Sequence, residues 1–224
     1  MARQGPAPAP RPDPFAPPVY ELVSLFMTEK TVTTRVTRRR QAVLAEILTA
    51  AWQLAATEGL SGISLRLLAT RLGMRPQSLA WYFPSKQELY DALYRQGQED
   101  FLRRLAALED ERPLDVHAAA AAFATFCVEN PQRYQLLTQR TVPGFQPSPE
   151  AHELARAAFG AWRRTLAEVG VSGRSHVDVL TAAVKGLVDQ QITVDPTGRR
   201  FLRHLDAVVD IIVAHGTGFE EEAQ

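Results

Sequence analysis

The segment from Ser64 to Lys86, SLRLLATRLGMRPQSLAWYFPSK, constrains the fold more than any other part of the chain. Leu65, Leu68, Ala69 and Leu72 recur at i, i+3, i+4 and i+7, the spacing of a helix with one apolar face. Ser64 stands where its side chain can cap the free N–H groups at the front of that helix. Gly73 ends it, because glycine takes the positive φ that lets the chain reverse at no steric cost. A second short helix follows, with Leu79 and Phe83 as inward anchors and Arg75, Gln77 and Ser78 facing outward. Two short helices about a tight turn make a helix-turn-helix, an arrangement that sets its second helix into the DNA major groove. There Arg can pair bidentately with guanine, Gln with adenine and Ser with either. Tyr82 and Lys86 stand at the end of this helix and the start of the next, where a hydroxyl, an ammonium and a helix N-terminus can together hold a phosphate.

Charge is distributed to match. The chain carries 25 basic and 25 acidic residues, yet between Lys30 and Lys86 nine are basic and only Glu46 and Glu58 are acidic. A basic N-terminal module is therefore joined to an acidic body, and phosphate attraction depends on the contacting face rather than on the total. Arg38, Arg39 and Arg40 stand together at the start of a helix, where like charge opposes the macrodipole, so an anionic partner is the natural explanation. With Ser64 and Arg66 at the front of the first short helix, the candidate DNA-binding set is Arg39, Arg40, Ser64, Arg66, Arg75, Gln77, Ser78, Tyr82 and Lys86. Trp81 is left out of it, as a core or interface aromatic.

From about Thr37 the pattern is helical nearly to the end, interrupted by Gly and Pro rather than by strand-like alternation. The fold class is all-α: an N-terminal three-helix helix-turn-helix domain and a C-terminal helical domain, about nine helices in all. The expected helices run ~38–58, ~64–72, ~76–82, ~86–109, ~114–129, ~131–139, ~149–169, ~175–193 and ~199–214. Helix 4 is expected to open with a capping box of Ser85 and Glu88. The domains divide as a Pro-rich and basic tail over 1–36, the DNA-binding domain over 37–86, an effector-binding and dimerisation domain over 87–216, and a second tail over 217–224. Residues 1–18 hold seven prolines and read as extended. Met27 is a plausible alternative start, which intact-mass measurement of the native protein would decide. No apolar run reaches the ~20 residues of a membrane span. The single cysteine, Cys127, allows no internal disulfide, and a reducing cytoplasm is the expected location.

The stretch from Arg40 to Leu93 resembles the N-terminal domain of the TetR family of transcriptional regulators. The matching residues are Ala51, Gly59, Ser64, Leu68, Ala69, Leu72, Gly73, Leu79, Tyr82, Phe83, Lys86 and Leu89. One departure stands out: after Leu79 the family commonly has a tyrosine that touches the DNA backbone, and this chain has Ala80.

The resemblance implies a homodimer formed through the last two helices and an effector pocket among the middle ones. Ala182, Ala183, Gly186 and Val188 are small enough for close helix approach, and Phe201, Leu205, Val208, Ile211 and Ile212 offer a second stripe. The effector candidates are Phe123, Phe126, Cys127, Tyr134, Phe159 and Trp162, with Lys185 and Gln190 as polar groups. The five histidines are scattered, so neither a metal site nor a cofactor is expected. Enzyme readings lack their parts: there is no Gly-rich phosphate loop, no G-x-S-x-G elbow and no Cys–His pair. The expected function is a ligand-responsive regulator, repressor or activator, that binds a palindromic DNA operator as a homodimer and is released by an unidentified small molecule. The competing class is an all-α ligand carrier or interaction module that keeps the motif as scaffold.

Overall fold

The structure is a computed structural model that describes Glu21 and residues 35–215, with side chains from Arg38 onward. Residues 1–18 of the Pro-rich tail and the tail from 217 onward lie outside the described residues. Among those described there are nine α-helices, one 3₁₀ turn and no strand. Two compact units divide them: residues 35–104 with 129–158, and residues 105–128 with 159–215.

The first unit begins with α1 (Arg35–Gly62), whose helical run is broken at Gly59, φ 72° and ψ 165°. Ile47, Ala51, Leu54 and Ala55 bury its inner side, while Val43, Leu44 and Leu48 pack at the margin of the same core. The next helix, α2 (Leu65–Arg71), starts as expected, with Ser64 Oγ accepting from the Leu67 N–H at 3.1 Å. Its exit follows from Gly73 at φ 63°: the Gly73 N–H donates to the Thr70 carbonyl and the Met74 N–H to the Ala69 carbonyl, at 3.1 and 2.9 Å. That pair of bonds is a Schellman end, and the left-handed residue it requires is the reason for a glycine there.

Helix α3 (Pro76–Ala80) is shorter than the expected 76–82. Pro76 occupies its first turn, where the missing N–H costs nothing. Leu79 and Phe83, 1% and 5% exposed, anchor it against α1 and α2 through the shared core. Helix α4 (Lys86–Glu111) opens on Ser85, whose Oγ accepts from the Glu88 N–H at 3.1 Å. The Glu88 carboxylate accepts the Ser85 hydroxyl in return at 3.3 Å, a side-chain variant of the expected box. Within this unit α6 (Pro131–Thr138) packs on α1, and the first half of α7 (Pro149–Glu168) completes the core with Ala151.

The second unit holds the end of α4, α5 (Val116–Glu129), the second half of α7, α8 (Arg174–Val194) and α9 (Leu205–His215). Helices α8 and α9 pack together, and His176 Nε2 lies 2.7 Å from the Ile212 carbonyl. The last helix begins later than the expected ~199, after a 3₁₀ turn at Leu202–His204. The cause is Gln191, fully buried at the end of α8. Its Oε1 accepts from the Phe201 and Leu202 N–H groups at 3.0 and 3.2 Å, and its Nε2 donates to the Gly198 carbonyl at 3.0 Å and to the Asp195 carbonyl. Those bonds hold residues 195–202 as a compact corner instead of helix.

Val188 and Leu205, expected on an intersubunit stripe, are instead core residues of their own unit, 0% and 5% exposed. Their apolar side chains find partners within the chain first. No described helix is long and apolar enough to cross a membrane. Among the described residues, no group of three or more His, Cys, Asp or Glu is placed to hold a metal ion.

Candidate nucleic-acid interface

The DNA-reading candidates divide by what they touch. Arg75, Gln77 and Ser78 are all exposed on α3, and Arg75, its N-cap residue, makes no side-chain capping bond. Arg66 is exposed on the first turn of α2, beside the capping residue Ser64, also exposed. Arg39 and Arg40 are exposed in the first turns of α1, which has no acidic residue in its opening turn. Tyr82 is half-buried just past α3.

Lys86 does more than the sequence suggests. Its ammonium donates to the Ser61 carbonyl at 2.8 Å and lies 5.4 Å from the centre of the Tyr90 ring. The Tyr90 hydroxyl donates to the neighbouring Leu60 carbonyl at 2.5 Å. The last carbonyls of α1, those of Leu60 and Ser61, are thus bonded by side chains from the first two turns of α4. Burial holds the Tyr90 phenol above its ordinary pKa, so it remains a donor across the physiological range. Lys86 is both a phosphate candidate and a strut between α4 and the helix-turn-helix.

Sequence reasoning missed the rest of this strut. Trp52 on α1 donates from Nε1 to Gln96 Oε1 on α4 at 2.9 Å. Phe145, in the loop after α6, packs against Tyr90 and Tyr94 with ring centroids 5.7 and 6.1 Å apart. Asp91 on α4 accepts from the Ser148 N–H at 2.7 Å and the Ser148 hydroxyl at 2.9 Å, at the entrance to α7. Ser148 before Pro149 was readable as a helix start; its partner 57 residues earlier was not. We predict that Tyr90→Phe, which leaves the Leu60 carbonyl with the Ile63 N–H at 3.2 Å but without this donor, lowers unfolding free energy by about 0.5–1.5 kcal/mol, measured by urea denaturation.

The effector candidates lie in both units. Phe126 and Cys127 are buried on α5, with Phe123 half-buried beside them. Tyr134, 1% exposed, belongs to the unit that holds the helix-turn-helix. Trp162 is half-buried and donates from Nε1 to Thr181 Oγ1 at 3.0 Å, tying α7 to α8. Lys185 is half-buried, whereas Phe159 (44% exposed) and Gln190 face solvent. Trp81, expected in a core or interface, is 83% exposed in this chain. Leu79 and Phe83 on either side of it already fill the inner face, and a residue two positions from each points away.

Residues 47–93 match the family model of bacterial regulatory proteins, tetR family. The chain is similar to the HTH-type transcriptional regulator Rv1816 of Mycobacterium tuberculosis, with 31% identity over 126 residues, 53% of this chain and 54% of that protein. It thus spans about half the length of the curated relative it matches. Among solved structures, the candidate regulatory protein SCO4313 superposes with a TM-score of 0.69 at 23% identity, over 79% of this chain and 98% of that one. A candidate transcriptional regulator from Saccharomonospora viridis, solved in complex with choline, superposes with a TM-score of 0.57 at 19% identity, over 77% and 96%. At these identities the likeness is one of fold. The capped α2, the Gly73 turn and the open polar side of α3 agree with that match, and residues 47–93 form a domain of the kind found in bacterial regulatory proteins of the tetR family.

Proposed function

We propose that the chain is a ligand-responsive transcriptional repressor that binds a palindromic DNA operator as a homodimer. The observation that carries this reading is α3 itself: Leu79 and Phe83 are buried while Arg75, Gln77 and Ser78 stay open to solvent, in a stretch with a large excess of basic residues. Residues 37–86 act as the DNA-binding part. Arg75, Gln77 and Ser78 read base edges, and Arg39, Arg40, Ser64, Arg66, Tyr82 and Lys86 fix register on phosphates.

Residues 87–216 act as the effector-binding and dimerising part. A protein of this fold is solved with choline bound, which supports a helical body that takes a small molecule. An effector that favours a conformation with the wrong half-site spacing releases the DNA. The struts from α4 to Leu60 and Ser61 support α4 as the element that carries the change to the helix-turn-helix. The test is the dissociation constant on genomic duplex fragments at several salt concentrations. Affinity should fall steeply as salt rises, and no salt-sensitive binding to any duplex would sink the reading.

For the dimer, α8 and α9 leave an outer face of small and apolar residues: Ala182 and Gly186 are exposed, no atom lies near a Cβ placed on Gly186, and Ile211 is 60% exposed. We predict that Ile211→Arg shifts the protein from dimer to monomer in light scattering at micromolar concentration, with its helical content retained. An unchanged mass would place the contact elsewhere.

A further inference from the structure

We infer that His117, Asp206 and Asp210 form a latch between α5 and α9 that closes in mild acid, with the protonated imidazole donating from both ring nitrogens, one to each carboxylate. The latch goes beyond the proposed function and needs neither DNA nor effector. All three residues belong to the same compact unit.

His117 is half-buried in the first turn of α5. Its Nδ1 lies 3.5 Å from Asp206 Oδ1, and its Nε2 lies 3.1 Å from Asp210 Oδ1. Nδ1 is closed off from water and has no hydrogen-bond partner. A neutral imidazole carries one N–H, so whichever nitrogen holds it, the other turns a lone pair toward a carboxylate oxygen. Only the imidazolium has a donor for each. The aspartates give the same answer from their side. They stand at i and i+4 on α9, where like charges repel, and α9 holds no lysine or arginine to relieve them. Among the described residues, neither aspartate pairs with another cation.

The surrounding charges leave the latch to these three groups. Arg203, just before α9, donates from Nε to His204 Nε2 at 3.1 Å. The dipole of α5 disfavours a cation near its N-terminus, and Asp115, whose carboxylate accepts the Ala118 N–H at 2.7 Å, offsets it there. From α8, His176 Nε2 holds α9 at the Ile212 carbonyl, 2.7 Å away, a bond that either charge state of the ring can make. The charged His117 ring is thus the form that the folded state favours, and folding takes up a proton there. The latch adds stability in mild acid and loses it as pH rises through the titration of the imidazole. It loses it again in stronger acid, where carboxylates protonate. Under the reading above, the helix it fastens is the one whose Ile211 side meets a second copy.

The test is amide hydrogen exchange along α9 in wild type, in His117→Gln and in a double variant carrying Asp206→Asn and Asp210→Asn. It is run without DNA or effector at about pH 8 and about pH 5.5, on either side of the range where histidine changes charge. Protection factors, corrected for intrinsic exchange, should rise about two- to fivefold toward acid in wild type relative to His117→Gln, the size of effect a solvent-exposed ion pair has. The double variant changes only exposed side chains, so it should match wild type in circular dichroism and show no such rise. Equal pH dependence in wild type and His117→Gln overturns the latch. So does a rise that persists in the double variant, which would place the titrating contact elsewhere. Light scattering separates this result from the regulatory reading: a chain that never dimerises removes the proposed partner of α9, while exchange within the single chain still decides the latch.

Discussion

Arg75→Ala combined with Gln77→Ala should abolish preference for the selected operator while leaving the fold intact. Both side chains are exposed, and neither makes a bond that holds α3 in place: Pro76 starts the helix, and Leu79 and Phe83 anchor it. A bidentate base contact contributes about 1–3 kcal/mol of discrimination, so losing two should reduce the ratio of operator to scrambled-duplex affinity by roughly 30- to 10⁴-fold. Residual binding to either duplex should remain, because the phosphate contacts proposed for Arg39, Arg40 and Arg66 are untouched. Circular dichroism and the urea midpoint should match wild type. A double variant that still chose the selected duplex over the scrambled one would rule out α3 as the reading element. If the chain were instead an effector carrier that keeps the motif as scaffold, the variant would change no measured function.

A comparably large effect, on stability rather than binding, is expected from Gln191→Leu. Leucine matches the shape closely but leaves the half-buried Phe201 and Leu202 N–H groups and the Gly198 carbonyl without the bonds that the buried Gln191 makes. Each bond lost contributes about 0.5–1.5 kcal/mol, so a total loss of about 2–4 kcal/mol is expected, with loosening centred on residues 195–205. Urea denaturation and amide hydrogen exchange at Phe201 and Leu202 would read it. Gln190→Leu is the control, since an exposed neighbour should change stability by less than about 0.5 kcal/mol.

The same corner carries a pH dependence. The Arg200 N–H and the Gln191 side chain hold the Asp195 carboxyl below its ordinary pKa. A depressed folded-state pKa contributes stability that is present above the unfolded value and lost as pH falls through the folded one. Exchange protection of the Arg200 amide should therefore persist through neutral pH and fade only in acid. Asp195 is only half-buried, so the effect is local to the corner.

The neighbouring glutamines show where reading a chain without its fold stops. Gln190 and Gln191 have the same chemistry and adjacent places on one helix, and Gln190 is one of the two polar effector candidates, with Lys185. A rotation of about 100° per residue makes one exposed and the other the centre of a buried network. Its partners lie in residues 195–202, so local pattern does not identify it. Trp81 is a related case. An aromatic residue beside a motif reads as core until the inner face is seen to be filled by Leu79 and Phe83. Local pattern does not single out Tyr90 and Asp91 either, because their partners, Leu60 and Ser148, lie 30 and 57 residues away.

Everything within a turn or two of chain was decided by residue type alone. Ser64 caps α2, Gly73 reverses the chain after it, Gly59 breaks α1, and the i, i+3, i+4 rows select the buried faces. These outcomes depend on φ, ψ and nearest-neighbour hydrogen bonds, which a short stretch of sequence specifies. Packing decided the remainder: that Lys86 braces α1, that Gln191 delays the last helix, that Val188 and Leu205 serve the core, and that Trp81 stands free. Those depend on which groups meet across long loops. Burial makes an unpaired polar group costly and an unfilled apolar face unstable, and it acts only once distant segments are in contact.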